Sequence, residues 1–251
     1  MTSPAIPAFK DRNLFFAFST FTGERAAFDK WYDEEHIPQV TDSTGMIGAQ
    51  RFVVADTKPL NGTAPLDFGH LAMYEIDGSP ASFREEVKQM LLTGQMQLPD
   101  LLNQPFTALF LEPVSAMHYG DAYSSLESLD ERNLWLVWCR PPADAEGRST
   151  FNKWYDEEHI PQVLSAPGLV RAQRFELNSA VKPLPGVFTP DLGHLALYET
   201  AGDPTLLREE VKRMLMSGEM VLPDFIKQVF DAMFMKPVSP FFPAHGASSG
   251  G

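Results

Sequence analysis

A ten-residue segment occurs twice in this chain and constrains its fold more than any other feature. The sequence WYDEEHIPQV stands at 31–40 and again at 154–163, an offset of 123. Three further pairs follow in the same order at an offset of 124: GHLA at 69–72 and 193–196, REEVK at 84–88 and 208–212, and PVS at 113–115 and 237–239. A single inserted residue after Arg51 and Arg174 explains the change of offset. Ordered matches of this extent predict a tandem duplication, with two copies of one folding unit.

Each copy has the pattern of strand, helix, strand, strand, helix and strand. In copy one, apolar runs of strand length and helical spacing predict six elements. Pro38 is expected to end or bend the first helix, and Gly94 suits the end of the second. The elements lie at Asn13–Thr20, Glu24–His36, Ala49–Ala55, His70–Ile76, Pro80–Thr93 and Phe106–Val114, with a Pro/Gly-rich loop at 58–67 and a short helical turn at LPDLL, 98–102.

One copy alone cannot bury both faces of such a sheet. Its two helices cover one face, and the other face needs a second sheet, which the duplicated copy supplies. The predicted fold class is therefore α+β, with two antiparallel sheets packed together. The predicted organisation is an N-terminal arm at 1–12, repeat 1 at 13–116, a linker at 117–132, repeat 2 at 133–239 and a C-terminal tail at 240–251.

Composition narrows the classes of partner. The formal net charge of −13 disfavours nucleic acid and anionic membrane surfaces. The single cysteine, Cys139, cannot form an intramolecular disulfide, which favours a reducing compartment. The N-terminal residues MTSPAIPAFKDR lack the features of a signal peptide, and no apolar run is long enough for a membrane span. The chain is predicted to be cytoplasmic, with a small molecule as its partner.

The repeated motif resembles a known superfamily. The order βαββαβ, with W-Y-x-x-E-H-I-P-x-V closing the first helix and P-G before strand two, is similar to the dimeric α+β barrel superfamily, and to its EthD-like branch in particular. The resemblance covers about residues 13–116 and 133–239. It implies two ferredoxin-like repeats that pair their sheets into a fused dimeric α+β barrel, as a monomeric pseudo-dimer or a homodimer. Copy two, with LSAPG at 164–168, fits the motif better than copy one, with TDSTG at 41–45. The two sites are therefore expected to differ, with copy two closer to the family pattern.

Two histidines on the first helices are the leading catalytic candidates. Tyr32 and His36 follow Phe28 at helical spacing, so all three share one stripe. Tyr155 and His159 repeat this arrangement after Phe151. A histidine beside aromatic rings can act as an acid or base near neutral pH, and the family resemblance implies that it lines a pocket. The alternative is a core histidine bonded to a backbone carbonyl.

A second His–Tyr pair lies on strand three of each copy. Strand alternation places His70 and Tyr74 on the face that also carries Phe68, opposite Leu71 and Met73. The Leu/Met face is expected to meet the helices, so that the His/Tyr face would look into the space between the sheets. His194 and Tyr198 repeat the pair, with Leu192 in place of Phe68. Such a pair can polarise a carbonyl, as the resemblance to polyketide cyclases of the superfamily implies; the alternative is a pair that satisfies itself in the core.

The remaining candidates are an arginine pair and several aromatic residues. Arg51 and Arg174 could hold an anionic substrate group, or pair with a surface acid such as Glu35. The candidate pocket or core aromatics are Trp31, Trp154, Trp138 and Phe18.

Neither a metal nor a cofactor is expected. The acids at 33–35 point in diverging directions from one helix, so they cannot converge on one ion with His36. The sequence has no dinucleotide or phosphate-binding fingerprint. Cys139 is the counterpart of Ser19 and is expected to be a packing residue.

Three functions fit these patterns. The leading hypothesis is a cofactor-independent acid/base enzyme, namely a lyase, isomerase, dehydratase or cyclase, acting on a small apolar carbonyl or aromatic compound. The second is a cofactor-free monooxygenase or a haem-handling enzyme. The third is a ligand-binding module without catalysis.

Overall fold

The computed structural model describes residues 12–20, 23–56, 69–99, 107–125, 128–178, 181, 193–224 and 230–244. The loop at 58–67 and the strand-face residues Phe68 and Leu192 lie outside these described residues. So do almost all of the predicted N-terminal arm, most of the LPDLL turn and the last seven residues of the predicted tail, 245–251.

Repeat 1 has the predicted order of elements. It consists of β1 Asn13–Ser19, α1 Arg25–Trp31, a π-helical turn Tyr32–His36, α2 Ile37–Thr41, β2 Met46–Val54, β3 His70–Ile76, α3 Pro80–Thr93 and β4 Thr107–Pro113. Ser79 caps α3 by accepting a hydrogen bond from the Ser82 amide, and Gly94 ends it in the left-handed conformation at φ 73°.

Repeat 2 has the same order, and a short connecting region precedes it. The connecting region contains β5 His118–Tyr119 and the 3₁₀ turns Asp121–Ser125 and Leu129–Glu131. Repeat 2 consists of β6 Asn133–Cys139, α4 Ala145–Trp154, a π-helical turn Tyr155–His159, α5 Ile160–Leu164, β7 Leu169–Leu177, β8 His194–Thr200, α6 Pro204–Ser217 and β9 Phe230–Pro237, followed by β10 Phe242–Pro243. No helix in the described ranges is long and apolar enough to cross a membrane.

The first helix does not end at Pro38, which was one of the two effects expected of this proline. The chain remains helical from Arg25 to Thr41 because a π turn precedes the proline. The Ile37 amide donates to the Tyr32 carbonyl, one residue further back than in an α-helix. This wider turn shifts the hydrogen-bond register where Pro38, which has no N–H, begins the next helical segment.

The two sheets close into one antiparallel barrel of eight strands. Within repeat 1 the strand order is β2-β3-β1-β4, and within repeat 2 it is β7-β8-β6-β9. The repeats join at two seams, where β4 pairs with β7 and β2 pairs with β9. The short strands β5 and β10 extend the sheet across the repeats, since β5 pairs with β7 and β10 pairs with β2.

The barrel interior is a packed apolar core. Alternate residues of β1 and β3, such as Phe16, Leu71 and Met73, point inward and meet their counterparts from repeat 2. This corrects the face assignment of strand three, because His70 and Tyr74 point outward to the helices. The interior is enclosed by strands of both repeats, so the more apolar Leu/Met face lies there. The polar residues His70 and Tyr74 lie on the helix side of the sheet, where hydrogen-bond partners such as Arg51 are available to His70.

Buried ions lie on the inward face near the strand ends. Arg12 contacts Glu75 at 2.8 Å and Glu199 at 2.6 Å. Arg132 contacts the same two carboxylates at 2.7 and 3.1 Å, and Arg171 contacts Glu199 at 2.9 Å. Burial opposes ionisation of both glutamates, yet the surrounding guanidinium groups hold their pKa values below the usual range. Since Glu75 and Glu199 come from different repeats, this cluster ties the two repeats together.

Candidate functional site

The π turn brings three aromatic side chains of the repeated motif together. In repeat 1, the His36 ring stacks on Trp31 with centroids 4.7 Å apart and meets Tyr32 edge-on at 5.1 Å. Tyr32 meets Phe28 edge-on at 5.1 Å, which agrees with the predicted stripe. The stacking of residues five positions apart requires the π turn, which the sequence patterns did not predict. Its only signal is a proline placed inside a run that otherwise keeps helical spacing.

A cavity of about 70 Å³ lies between the helices and the sheet of repeat 1. Its walls are mostly apolar, and four side chains contribute polar groups. The apolar lining residues are Phe15, Ala17, Val40, Val87, Leu91, Met96 and Leu98, and the polar ones are Ser19, Tyr32, His36 and Tyr74. The cavity therefore contains three of the sequence-predicted site residues of repeat 1, together with Ser19. A mainly apolar cavity with a few convergent polar groups is typical of a small-molecule site.

His36 supplies a neutral imidazole to this cavity. The side chain is 8% exposed, and burial lowers its pKa to about 4. Its Nδ1 has no hydrogen-bond partner among the described residues. A buried polar atom without a partner is costly in a folded protein, so this nitrogen is suited to bond a ligand, and it accepts a proton in the tautomer that is protonated on Nε2.

Two tyrosines, Tyr32 and Tyr74, line the same cavity. Burial raises the pKa of Tyr32 to about 12 and that of Tyr74 well above its usual range, so both remain protonated donors. The Tyr74 hydroxyl, like His36 Nδ1, is buried without a partner in the described part of the chain. Two residues of the cavity wall, His36 and Tyr74, thus each have a polar group without a partner in the described part of the chain.

Arg51 lies behind the cavity and is neutralised by two aspartates. Its guanidinium contacts Asp29 at 2.7 Å and Asp33 at 2.8 Å, and a third contact reaches His70 Nε2 at 3.2 Å. His70 Nδ1 lies 3.3 Å from the Ser19 hydroxyl. The acids beside Arg51 are therefore not Glu35, which is exposed. Since Arg51 is buried and already paired, it is not free to bind an anionic substrate group.

Repeat 2 keeps this arrangement with two changes of side chain, Asn152 in place of Asp29 and Cys139 in place of Ser19. Arg174 contacts Asp156 at 2.7 Å, donates to Asn152 at 2.9 Å and lies 3.3 Å from His194 Nε2. His194 Nδ1 then lies 3.2 Å from the sulfur of Cys139, which stands where repeat 1 has Ser19. Burial raises the pKa of the Cys139 thiol to about 12, so it is not activated as a nucleophile.

Larger side chains fill the corresponding space in repeat 2. Trp135 and Val137 stand in place of Phe15 and Ala17, and both are buried, at 4% and 8% exposure. Phe15 and Ala17 are only half-buried, because they border the cavity. The Trp135 ring stacks on Phe234 at 5.4 Å.

Trp135 also lies 4.9 Å from Tyr198, as Phe15 lies 5.5 Å from Tyr74 in repeat 1, so the larger indole ring occupies more of the space beside this tyrosine. The structure therefore places an open cavity in repeat 1. The two copies were expected to differ, with copy two closer to the family pattern through its LSAPG loop, and the wall residues of β1 and β6 are a second difference between them.

The structure separates the other predicted aromatic residues into two groups. Trp31 and Trp154 pack on His36 and His159, with ring centroids 4.7 and 4.4 Å apart, and they support the helix side of each repeat. Phe18 and Trp138 point into the barrel core, on the opposite side of the sheet from the cavity. Within the described ranges, no three His, Cys, Asp or Glu side chains come together as a metal-binding group.

Acid should destabilise the fold well before the carboxylates are protonated. Burial lowers the pKa of His36 to about 4 and those of His70, His159 and His194 to about 3, from 6.5 in the unfolded chain. Between these values the unfolded state binds more protons, so stability is full above pH 6.5 and falls as the pH drops. Each histidine contributes about 1.4 kcal/mol per pH unit within that window.

Urea unfolding at about pH 7 and about pH 5 measures this slope. The variant His159→Phe keeps a ring against Trp154 but removes one titrating group. Its unfolding free energy should therefore change less steeply with pH, by the contribution of one histidine. Equal stability at the two pH values would contradict the burial of neutral imidazoles.

Comparison with known proteins identifies the fold. No protein-family model matches the chain, and no curated protein sequence is similar enough to count as a relative. Among solved structures, a proposed monooxygenase from Fusobacterium nucleatum subsp. nucleatum has a TM-score of 0.56 at 9% identity, covering 93% of this chain and 94% of that one. An anthrone oxidase-like protein has a TM-score of 0.55 at 12% identity, covering 94% of each chain. At these identities the similarity shows a shared fold only. The chain is a dimeric α+β barrel in which two ferredoxin-like repeats lie on one polypeptide.

Proposed function

We propose that the cavity of repeat 1 is the active site of a cofactor-independent acid/base enzyme. The substrate class is a small, uncharged carbonyl or aromatic hydroxyl compound. The observation that carries this proposal is that two residues lining an otherwise apolar cavity, His36 and Tyr74, each have a buried polar atom, Nδ1 and the hydroxyl, without a hydrogen-bond partner in the described structure. An uncharged substrate follows from Arg51, whose charge is balanced by Asp29 and Asp33.

The proposed chemistry begins with proton transfer to His36. A neutral imidazole can remove a proton from a C–H beside a carbonyl or from a phenolic O–H. Burial lowers the pKa of His36 to about 4, so the imidazolium is disfavoured. Proton transfer therefore requires the new anion to remain beside the imidazolium, where the two charges stabilise each other. Tyrosine hydroxyls that donate to the developing oxyanion lower the same barrier.

Lyases, isomerases, dehydratases and cyclases share this first step, and the class of reaction depends on the bond that the enolate or phenolate then makes or breaks.

Membership of the EthD-like branch, which the motif W-Y-x-x-E-H-I-P-x-V supports, belongs to the same proposal. Because one polypeptide contains both repeats, a single chain provides the whole barrel around the site.

Hydrogen–deuterium exchange tests the proposal without knowledge of the natural substrate. A panel of small uncharged ketones and phenols is incubated with the protein in D₂O, and deuterium incorporation beside the carbonyl or hydroxyl group is followed by NMR. We expect at least one ligand of the cavity to exchange faster with the protein than in buffer. Ligands that bind in the cavity without any accelerated exchange would instead favour a binding module.

A second candidate is oxidation of the same anion by molecular oxygen. An electron-rich enolate or phenolate held in an apolar cavity is the species that such a reaction needs, and His36 can generate it. The two structural neighbours are described as a monooxygenase and an oxidase-like protein, which agrees with this alternative at the level of the fold. Conversion that persists without oxygen would exclude it, and a Soret band on haem titration would favour haem handling instead.

A further inference from the structure

The hydrogen bonds behind the cavity of repeat 1 have a fixed direction. A guanidinium group can only donate, so the 3.2 Å contact from Arg51 Nη1 makes His70 Nε2 an acceptor. Burial and then the charge of Arg51 lower the pKa of His70 to about 3, so the ring is neutral and carries its one proton on Nδ1. His70 Nδ1 therefore donates to the Ser19 hydroxyl at 3.3 Å.

This direction determines what the Ser19 hydroxyl can do. Its oxygen accepts from His70, so its own proton is available to another acceptor. Ser19 and Tyr32 both line the cavity, and their hydroxyls interact with each other. Of the two hydroxyl protons, at most one can lie between Ser19 and Tyr32. At least one is therefore left for a ligand.

We infer that Ser19 is a positioning residue that Arg51 orients through His70, so that the Ser19–Tyr32 pair donates a hydrogen bond to the oxyanion of a bound phenol or enol. This inference rests on the proposed function and adds to it the role of Ser19, which fixes the position of the hydrogen-bond donor. The Tyr74 hydroxyl, which lines the same cavity, is a second donor. Two donors near one developing oxyanion form an oxyanion hole, which favours the charged state over the neutral ligand.

Repeat 2 contains the substitution that isolates this role. Cys139 keeps the acceptor for His194 at 3.2 Å and lies 3.8 Å from the Tyr155 hydroxyl. A thiol is a much weaker donor than a hydroxyl. The same barrel thus accommodates cysteine at this position with the arginine and histidine of the supporting network in place, although Asn152 replaces Asp29 beside that arginine. Ser19→Cys is therefore a variant that preserves the network and weakens the donor.

The test measures the ionisation of a bound probe. 4-Nitrophenol is titrated into the protein across a pH series, and the visible absorbance of its phenolate gives the apparent pKa of the bound probe. We expect Ser19→Cys and Ser19→Ala to raise that pKa by about one unit relative to the unaltered protein, because the anion loses a donor. Ser19→Thr, which keeps the hydroxyl, should restore the original value.

The outcomes separate this inference from the proposed function. If both Ser19→Cys and Ser19→Ala bind the probe with an unchanged pKa, Ser19 does not position a donor, and the acid/base proposal is unaffected. If the unaltered protein does not bind 4-nitrophenol, both are overturned. Thermal unfolding monitors the fold of each variant. Ser19→Ala removes the hydrogen-bond partner of His70 and is therefore expected to be the less stable variant. If Ser19→Ala is destabilised, the pKa of the probe bound to Ser19→Cys decides whether Ser19 positions a donor.

Discussion

Replacing His36 with glutamine is expected to slow deuterium exchange into a bound substrate by about 10²–10⁴-fold, the usual contribution of a positioned general base. The same change at His159 should leave the rate close to that of the unaltered protein. Both histidines are buried, stack on a tryptophan and have an Nδ1 without a partner in the described structure. They differ in that only His36 lines the cavity of repeat 1, while Trp135 and Val137 occupy the corresponding space in repeat 2.

The pair of variants controls for stability, because each removes one buried imidazole from the same local structure. Exchange rates are compared at equal folded fraction, measured by urea unfolding. Equal losses in the two variants would show that the histidines support the fold and not the chemistry. A loss confined to His159→Gln would move the site to repeat 2.

Transferring the repeat 2 wall into repeat 1 is expected to close the cavity. The double variant Phe15→Trp/Ala17→Val introduces the residues found at Trp135 and Val137. These side chains would fill the space in front of Tyr74, so 4-nitrophenol binding should weaken by about 10–100-fold, the range that corresponds to typical overpacking energies. Isothermal titration calorimetry measures the affinity.

The reciprocal variant Trp135→Phe/Val137→Ala is the matched control. It changes wall residues of the same kind but lies in repeat 2, so the affinity of repeat 1 for the probe should not change. Its thermal stability should fall, because removal of buried methyl and ring atoms leaves a cavity. If Phe15→Trp/Ala17→Val binds 4-nitrophenol as tightly as the unaltered protein, the proposed location of the site in the cavity of repeat 1 is contradicted.

The order of elements was predictable from the sequence, but the side of the sheet that carries the cavity was not. Strand alternation correctly groups His70 with Tyr74 and Leu71 with Met73. It does not say which group faces the second sheet. That choice depends on the barrel, whose interior is enclosed by strands of both repeats and favours the more apolar face. Only the assembled structure shows that His70 finds Arg51 and Ser19 on the helix side.

A difference between the repeats was predictable from the sequence, which places copy two closer to the family motif through its loop, whereas the described cavity lies in repeat 1. The difference that decides access is in β1, where Phe15 and Ala17 correspond to Trp135 and Val137. Both pairs are apolar and suit a strand, so neither pattern nor composition separates them. The effect of these four residues depends on how much of the space between the sheet and the helices their side chains fill, and this can be judged only from the three-dimensional structure. The π turn escaped prediction for a similar reason, since it is a change of one residue in hydrogen-bond register.

A crystal structure of the protein with 4-nitrophenol tests most directly whether the cavity of repeat 1 is the site. We expect density for one probe molecule per chain in that cavity, with its oxygen within hydrogen-bonding distance of the hydroxyls of Tyr74 and the Ser19–Tyr32 pair and its ring against Phe15 and Ala17. Density beside Tyr155 and His159 in repeat 2, or on the inner side of the barrel, would contradict this location.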